Sequence, residues 1–387
     1  MKLLFSYTFR NLAVRKLTTG LTVVGMALVV FVFAAMMMFA YGIEKTLTDT
    51  GSDDNAIFVR KAATSETVSL VMRSDATLAL TQPEIALSED GTPIGVAEIV
   101  ILVSGNKINT DAAANVIMRG TTATAMTLRP YIRLEGRMFT PGTSEIIVGR
   151  SASKNFKNCQ IGGKLRFAER DWEVVGVFDA GGSGFDSELW GDVNQVQQAF
   201  RRTIFASVTM RLKDPGQFDQ LKQRMETDPR MTVDVKREKE YYAAQSSMMA
   251  GFISIMGIVI SIVFSAGAMI GAMITMYSAV ANRTAEIGTL RAIGFSRFRI
   301  LTVFMLESLW LALLGAGLGL LAASFMSFVT VSTTNWGSFA ELAFSFAIST
   351  NIIVGSVIFA IAMGLIGGFL PAVRASRAKI VDSLRAA

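Results

Sequence analysis

From Tyr241 to Asn282 the chain runs for 42 residues without a charged side chain. A bilayer core of about 30 Å is crossed by about 20 helical residues at 1.5 Å each, so a helix of this length would reach about 63 Å. The opening residues, Tyr241-Tyr-Ala-Ala-Gln-Ser-Ser247, are polar enough to stand in water. Residues 241–282 therefore read as a stalk outside the membrane that continues as a transmembrane helix. The basic segment Arg283–Arg299 follows, and a second apolar run begins directly after it. Such an element can carry movement from one side of a membrane to the other.

Composition agrees. Hydrophobic residues make up 51% of the chain, and the mean hydropathy is +0.44, outside the range of an ordinary soluble domain. The single cysteine, Cys159, excludes an internal disulfide framework. The absence of histidine excludes His-based zinc sites and Ser-His-Asp triads. Charge placement says more than the net +6. Residues 44–240 hold 25 basic and 27 acidic residues. The other 12 basic residues fall in three clusters: Lys2, Arg10, Arg15 and Lys16; Arg283, Arg291, Arg297 and Arg299; Arg374, Arg377, Lys379 and Arg385. The short connection Val331–Glu341 has no Lys or Arg. By the positive-inside rule the three clusters are cytoplasmic and that connection is outside. The high isoelectric point is a topology signal, and the soluble part offers no basic face for a nucleic acid.

These signals divide the chain. Residues 1–16 place Phe5, Phe9 and Leu12 at helical spacing among basic residues, as in an amphipathic cytoplasmic helix or a basic flank that only sets topology. Residues 17–43 form the first span, with neither the short apolar core nor the cleavage site of a signal peptide. Residues 44–240 form a soluble insert. Its end reads strand–helix–strand, with Asp214 as N-cap and Pro215 at the first helical position. Its centre holds short apolar runs such as Glu145–Gly149 and Trp172–Phe178. The expected fold is a split α/β domain with a β-rich insert at about 119–192. Further spans follow at 300–330 and 351–373, joined by a connection at 331–350, with a tail at 374–387.

Some residues within this frame invite a functional reading. Gly267 and Gly271, Gly315 and Gly319, and Gly364 and Gly368 stand four apart, the spacing that lets helix backbones approach in lipid. Glu307 is the one carboxylate embedded in a span. It lies about two turns from Arg299, where it can snorkel or pair with a loop arginine; a proton pathway would want further charges. Gly181-Gly-Ser-Gly184 is a turn between strands or a mobile lip. It is not a nucleophile elbow, since Phe185 stands where the last glycine belongs. Gly162-Gly-Lys164 is followed by Leu165, so no phosphate-binding loop of the Walker type is present. No residues assemble a catalytic, cofactor or metal site.

Three stretches carry a family resemblance. Ala281-Asn-Arg-Thr-Ala-Glu-Ile-Gly-Thr-Leu-Arg-Ala-Ile-Gly-Phe-Ser296, followed by Leu306-Glu-Ser-Leu309, resembles the loop of permeases of the macrolide-exporter (MacB) and FtsX superfamily, the type VII ABC transporters. Arg10–Lys16 resembles that family's entry to its first helix, and Gly368–Arg377 with Asp382–Arg385 its C-terminal tail. The resemblance implies a four-span protein of the inner membrane with both termini cytoplasmic and a periplasmic domain of the split α/β kind. No ATPase domain is fused in this sequence, so it implies a separate cytoplasmic ATPase in two copies, carrying ATP and Mg, and a second permease chain. It also implies mechanotransmission: Glu286 to Ile293 would form a coupling helix ended by Gly294, with Ser296 capping the next helix. Glu286 and Arg291 would touch the ATPase rim, while Ile287, Leu290 and Ile293 would fill its groove. Efflux with a periplasmic adaptor is the leading expectation. Extraction of a lipoprotein or lipid, and FtsX-like regulation of a periplasmic partner, are the alternatives.

Overall fold

The computed structural model describes residues 16–108, 110 and 112–378. Residues 1–15 of the expected amphipathic helix and residues 379–387 of the expected tail lie outside the described residues. Two units make up the fold. The soluble one comprises Gly42–Ala250 with Thr330–Ser345; the other holds the chain up to Tyr41, Gly251–Val329 and the residues from Phe346.

In chain order, α1 (Lys16–Thr48) enters the soluble unit. There β1 (Asn55–Arg60), α2 (Arg73–Leu80), β2 (Gly95–Asn106), β3 (Ala113–Thr121), β4 (Arg133–Gly136), β5 (Glu145–Gly149), β6 (Lys164–Phe167), β7 (Arg170–Asp179), β8 (Glu188–Asp192), α3 (Val193–Ala199), β9 (Ser207–Arg211), α4 (Phe218–Thr227) and β10 (Val233–Arg237) follow. The strands join in one mixed sheet in the order β10-β1-β9-β2-β3-β8-β5-β7-β4, with β6 also pairing β7. The expected α/β half is β10-β1-β9-β2 with α2 and α4. The strands of the expected insert at about 119–192 continue from β3, which pairs along β2 from Asn106↔Ala113 to Ile99↔Gly120. These strands belong to the same sheet as the α/β half.

Period-two alternation gives the sheet two faces. Ala56 and Phe58 of β1 enter one apolar core with Ile99, Met118, Leu189 and Val208. Ile57 and Val59 enter another with Ile147, Phe178, Phe185, Trp190, Tyr241 and Tyr242. Both faces are covered, which is why β1 reads as a continuous apolar run. At the end of the unit Asp214 accepts from the Gly216 amide at 2.9 Å. Pro215 opens a 3₁₀ turn ahead of α4, whose Phe218, Leu221 and Met225 are buried.

The long helix α5 (Glu238–Ala281, 44 residues) leaves β10 and continues without a break. Then come α6 (Thr284–Ala292), α7 (Arg297–Ser324), β11 (Thr330–Thr334), β12 (Glu341–Ser345) and α8 (Thr350–Ser376). Helices α1, α5, α7 and α8 are each long and apolar enough to cross a membrane. The third begins three residues before the expected 300, and the fourth runs three beyond 373. Residues 331–350 are more than a connection: β11 and β12 pair from Thr330↔Ser345 to Thr334↔Glu341 and belong to the soluble unit. Lys107 pairs with Glu341 at 2.8 Å, and the Ala343 amide donates to Ser187 Oγ at 3.0 Å.

In the membrane unit small residues set the packing. A Cβ at Gly315 would lie 2.7 Å from Met26 Cβ, and one at Gly319 2.6 Å from the Ala27 carbonyl oxygen, so α7 meets the backbone of α1. Gly364 meets Ala312 and Gly368 meets Ser308, joining α8 to α7. Gly267 and Gly271 behave differently. Among the described residues nothing lies within 4 Å of a Cβ at either, so α5 turns them away from the other described helices.

Candidate functional site

Helix α6 sits between two spans and is held by three anchors. Arg283, just before it, pairs with Glu307 of α7 at 3.1 Å, both side chains buried. This places Glu307 with a loop arginine; an unpaired charge at the bilayer centre would cost about 2.5–3.5 kcal/mol. Ile287 is 3% exposed and packs with Ile300, Phe304, Ala372 and Ala375. Arg291 Nη1 donates to the Ala378 carbonyl at 2.7 Å.

The helix stops at Gly294, whose φ of +106° few other residues tolerate. The Phe295 amide donates to the Leu290 carbonyl and the Gly294 amide to that of Arg291, both at 3.1 Å. These are the two bonds of a Schellman cap. Phe295 and Leu290 share an apolar pocket with Ile287, Ile300 and Val303. Ser296 then caps α7 by accepting from the Arg299 amide at 3.4 Å. The groove-filling trio expected from the sequence is thus divided. Ile287 belongs to the bundle, Leu290 is half-buried, and Ile293 stands 72% exposed. Phe298, not singled out before, is 76% exposed beside it, and Glu286 lies on the exposed side of α6.

A second constellation was not anticipated. Under the first turns of α5 lies a buried ion network. Arg119 directs all five N–H donors to carboxylates. Nε and Nη2 bind Glu188 at 2.7 and 2.9 Å, Nη1 and Nη2 bind Glu66 at 2.9 and 3.0 Å, and Nη1 also reaches Glu98 at 3.0 Å. Arg129 donates to Glu98 at 3.3 and 3.2 Å and to Glu238 at 3.2 Å, with its guanidinium 4.4 Å from the Phe185 ring centroid. Glu238 also accepts from Asn55 Nδ2 at 2.8 Å and the Ser52 amide at 3.1 Å. Tyr242, one turn along α5, donates to Glu66 at 3.0 Å.

Burial opposes ionisation of Glu66, yet the Arg119 guanidinium, with Ser207 and Tyr242, outweighs it and holds this carboxyl at about 2. Glu98 is likewise held below its ordinary value: burial is outweighed by Arg129 and Arg119. For Glu188 burial wins over Arg119, and its carboxyl is pushed up. A signal for this site existed. Glu98, Arg119, Glu188 and Ser207 each stand next to a residue of the first core (Ile99, Met118, Leu189, Val208), so alternation puts all four on the opposite face. What the sequence leaves open is that this face is covered.

The Gly181–Gly184 turn is tied down. Asp186 accepts from the Ala180 and Gly182 amides at 2.6 and 2.7 Å, and the Gly184 amide donates to Thr50 Oγ1 at 2.8 Å.

Four spans, a mixed-sheet domain inserted after the first, and a capped helix between the second and third define a polytopic membrane protein built around one long helix. Residues 19–228 match the family model of the MacB-like periplasmic core domain, and residues 248–380 that of the FtsX-like permease C-terminal region. The chain belongs to the MacB/FtsX-type family of ABC transporter permeases. It is 27% identical over 270 residues to the ABC transporter permease YknZ of Bacillus subtilis strain 168, covering 65% of each chain. It is 23% identical to the macrolide export ATP-binding/permease protein MacB of Bdellovibrio bacteriovorus, over 97% of this chain and 60% of that one. It thus spans less than two thirds of either relative. Among solved structures, the extracellular domain of a YknZ transporter matches 47% of this chain and 98% of its own, with 14% identity and a TM-score of 0.35.

Proposed function

We propose that this chain is a permease subunit that couples a separate ABC ATPase, bound at α6 in the cytoplasm, to conformational change in a periplasmic domain, driving efflux with a periplasmic adaptor. The continuity of α5 carries this reading: one helix runs from the ion network at Glu238 to the turn at Arg283. The three anchors of α6 pass any displacement of that helix to α7 and α8, as a two-state linkage requires. ATP and Mg belong to the ATPase. Two permease chains form the working unit in the inner membrane, with the outward Gly267 and Gly271 surface of α5 as their contact.

The test is recruitment. Ile293→Asp puts a charge on the exposed apolar tip of α6 without disturbing the bundle, and should weaken pull-down of the ATPase by tenfold or more and stop transport. Thr284→Ala serves as control. Undiminished recruitment and transport by Ile293→Asp would remove α6 as the ATPase contact.

One observation favours a second reading, extraction of a lipid-bearing substrate. An apolar groove in the soluble unit is lined by Val68, Tyr241, Met248, Met249, Trp336 and Phe339. A photo-crosslinker at Met248 that captures lipidated protein during turnover would support it over efflux.

A further inference from the structure

The network under α5 is not charge-balanced. Four buried carboxylates, those of Glu66, Glu98, Glu188 and Glu238, meet two guanidiniums, those of Arg119 and Arg129. Fully ionised, the site would carry two net negative charges away from water, and a group in that position takes up a proton instead. The surroundings offer little relief. Lys239, next in the chain, pairs outward with Asp53 at 2.8 Å. The nearby phenols are those of Tyr242 on α5 itself, which donates to Glu66 at 3.0 Å, of Tyr241 beside it in the same buried core, and of Tyr131, which donates to the Thr50 carbonyl at 3.1 Å. Other donors to the carboxylates, such as Asn55, Thr121 and Trp190, are neutral.

The four carboxylates are not equivalent. Glu66 takes two charged donors at 2.9 and 3.0 Å along with two hydroxyls, and Glu98 touches both guanidiniums. Glu188 also takes two N–H donors of Arg119, at 2.7 and 2.9 Å, and the Trp190 indole at 2.8 Å, but it shares that one guanidinium with Glu66 and Glu98, and burial raises its carboxyl. Glu238 has a single charged donor, at 3.2 Å.

We infer that this network retains a proton at neutral pH, on Glu188 or Glu238, and that the proton governs how firmly the first two turns of α5 are held in the soluble domain. Glu238 and Tyr242 are then positioning residues, one turn apart on the helix. With the proton in place, repulsion among the carboxylates is relieved and both stay docked. When the proton leaves, like charges crowd beneath the helix and its grip loosens. For a stalk that transmits motion, this would tune coupling to the pH of the compartment. That meaning rests on the proposed function; the proton itself does not.

The sign follows from linkage. A carboxyl that binds its proton more tightly in the folded state than its ordinary 4.5 adds stability at low pH and loses it as pH rises above that value. Full-length protein in nanodiscs should therefore unfold at a lower temperature as pH rises from about 5 to about 8. One proton held only by the folded state corresponds to about 3–5 °C per pH unit for a domain of this size. At neutral pH the infrared spectrum should show the carbonyl stretch of a buried protonated acid. At least one of Glu188→Gln and Glu238→Gln should lose that band and flatten the pH slope, since each is neutral and nearly isosteric. Amides of Tyr241–Gln245, corrected for intrinsic exchange, should be less protected at about pH 8 than at about pH 6.

A wild-type midpoint independent of pH, or both variants retaining band and slope, would overturn the retained proton. Band and slope without any change at the α5 amides would overturn its control of the helix. If all these effects hold while Ile293→Asp still recruits the ATPase fully, the coupling role fails and the proton inference stands.

Discussion

Arg119 shows how one side chain can commit a whole sheet face. Its planar fork of five donors fits three carboxylates at once, and those carboxylates come from β2, β8 and the turn at Glu66–Val68. Taking these charges out of water is costly, and the cost is offset only while every partner is present. Glu66 makes this testable in acid. Its carboxyl, ordinarily near 4.5, sits at about 2 in the fold, so it contributes stability that is fully present above 4.5 and is lost as pH falls toward 2. A shift of that size corresponds to about 3 kcal/mol. Glu66→Gln should destabilise the soluble domain near neutral pH and flatten the acid limb of its stability profile, read by thermal unfolding at about pH 6, 4 and 2.5. An acid limb identical to that of the wild type would contradict the assignment of Glu66 as an ionised partner of Arg119.

Among the elements, the helices divide by what their small residues face. Gly315 and Gly319 let α7 lie on the backbone of α1, and a side chain there would force the two apart, an overpacking cost of about 1–3 kcal/mol. Gly267 and Gly271 meet none of the other described helices. Gly315→Leu should therefore lower the unfolding temperature of the purified protein in detergent. Gly267→Leu should leave it nearly unchanged while shifting the mass of the complex from two permease chains toward one. The reverse pattern would mean that the small face of α5 is buried within a single chain. The hairpin β11–β12 carries a different lesson. Its β-branched Thr330-Val-Ser-Thr-Thr334 and the short apolar run of Glu341-Leu-Ala-Phe-Ser345 are compatible with strands, hidden in what reads as a short link between spans.

At the scale of the whole molecule, the three basic clusters and the outward hairpin define an orientation to be checked chemically. Cysteines introduced at Ser296 and, separately, at the exposed Lys164 should behave oppositely toward a membrane-impermeant thiol reagent in intact cells, with Lys164→Cys labelled and Ser296→Cys protected until the membrane is permeabilised. The native Cys159 should contribute little background, because burial pushes its thiol up to about 12 and a thiol reacts as thiolate. Labelling of Ser296→Cys from outside would overturn the orientation. What the sequence determined by itself is what local pattern can encode. Apolar runs long enough to cross a bilayer, uncharged but for Glu307, fixed four spans and an overlong second helix; a glycine after a short apolar helix fixed its end; charge clusters fixed the expected sidedness. Each depends on residues close along the chain. The tertiary structure decided which surfaces are covered. Alternation placed Glu98, Arg119 and Glu188 on one face, but only the packing of Phe185, Trp190 and the first turns of α5 over that face made it an interior. The same holds for Ile287, whose spacing suited an outward contact and which the ends of α7 and α8 enclose. Burial is set by partners far apart in sequence, and no local period reports them.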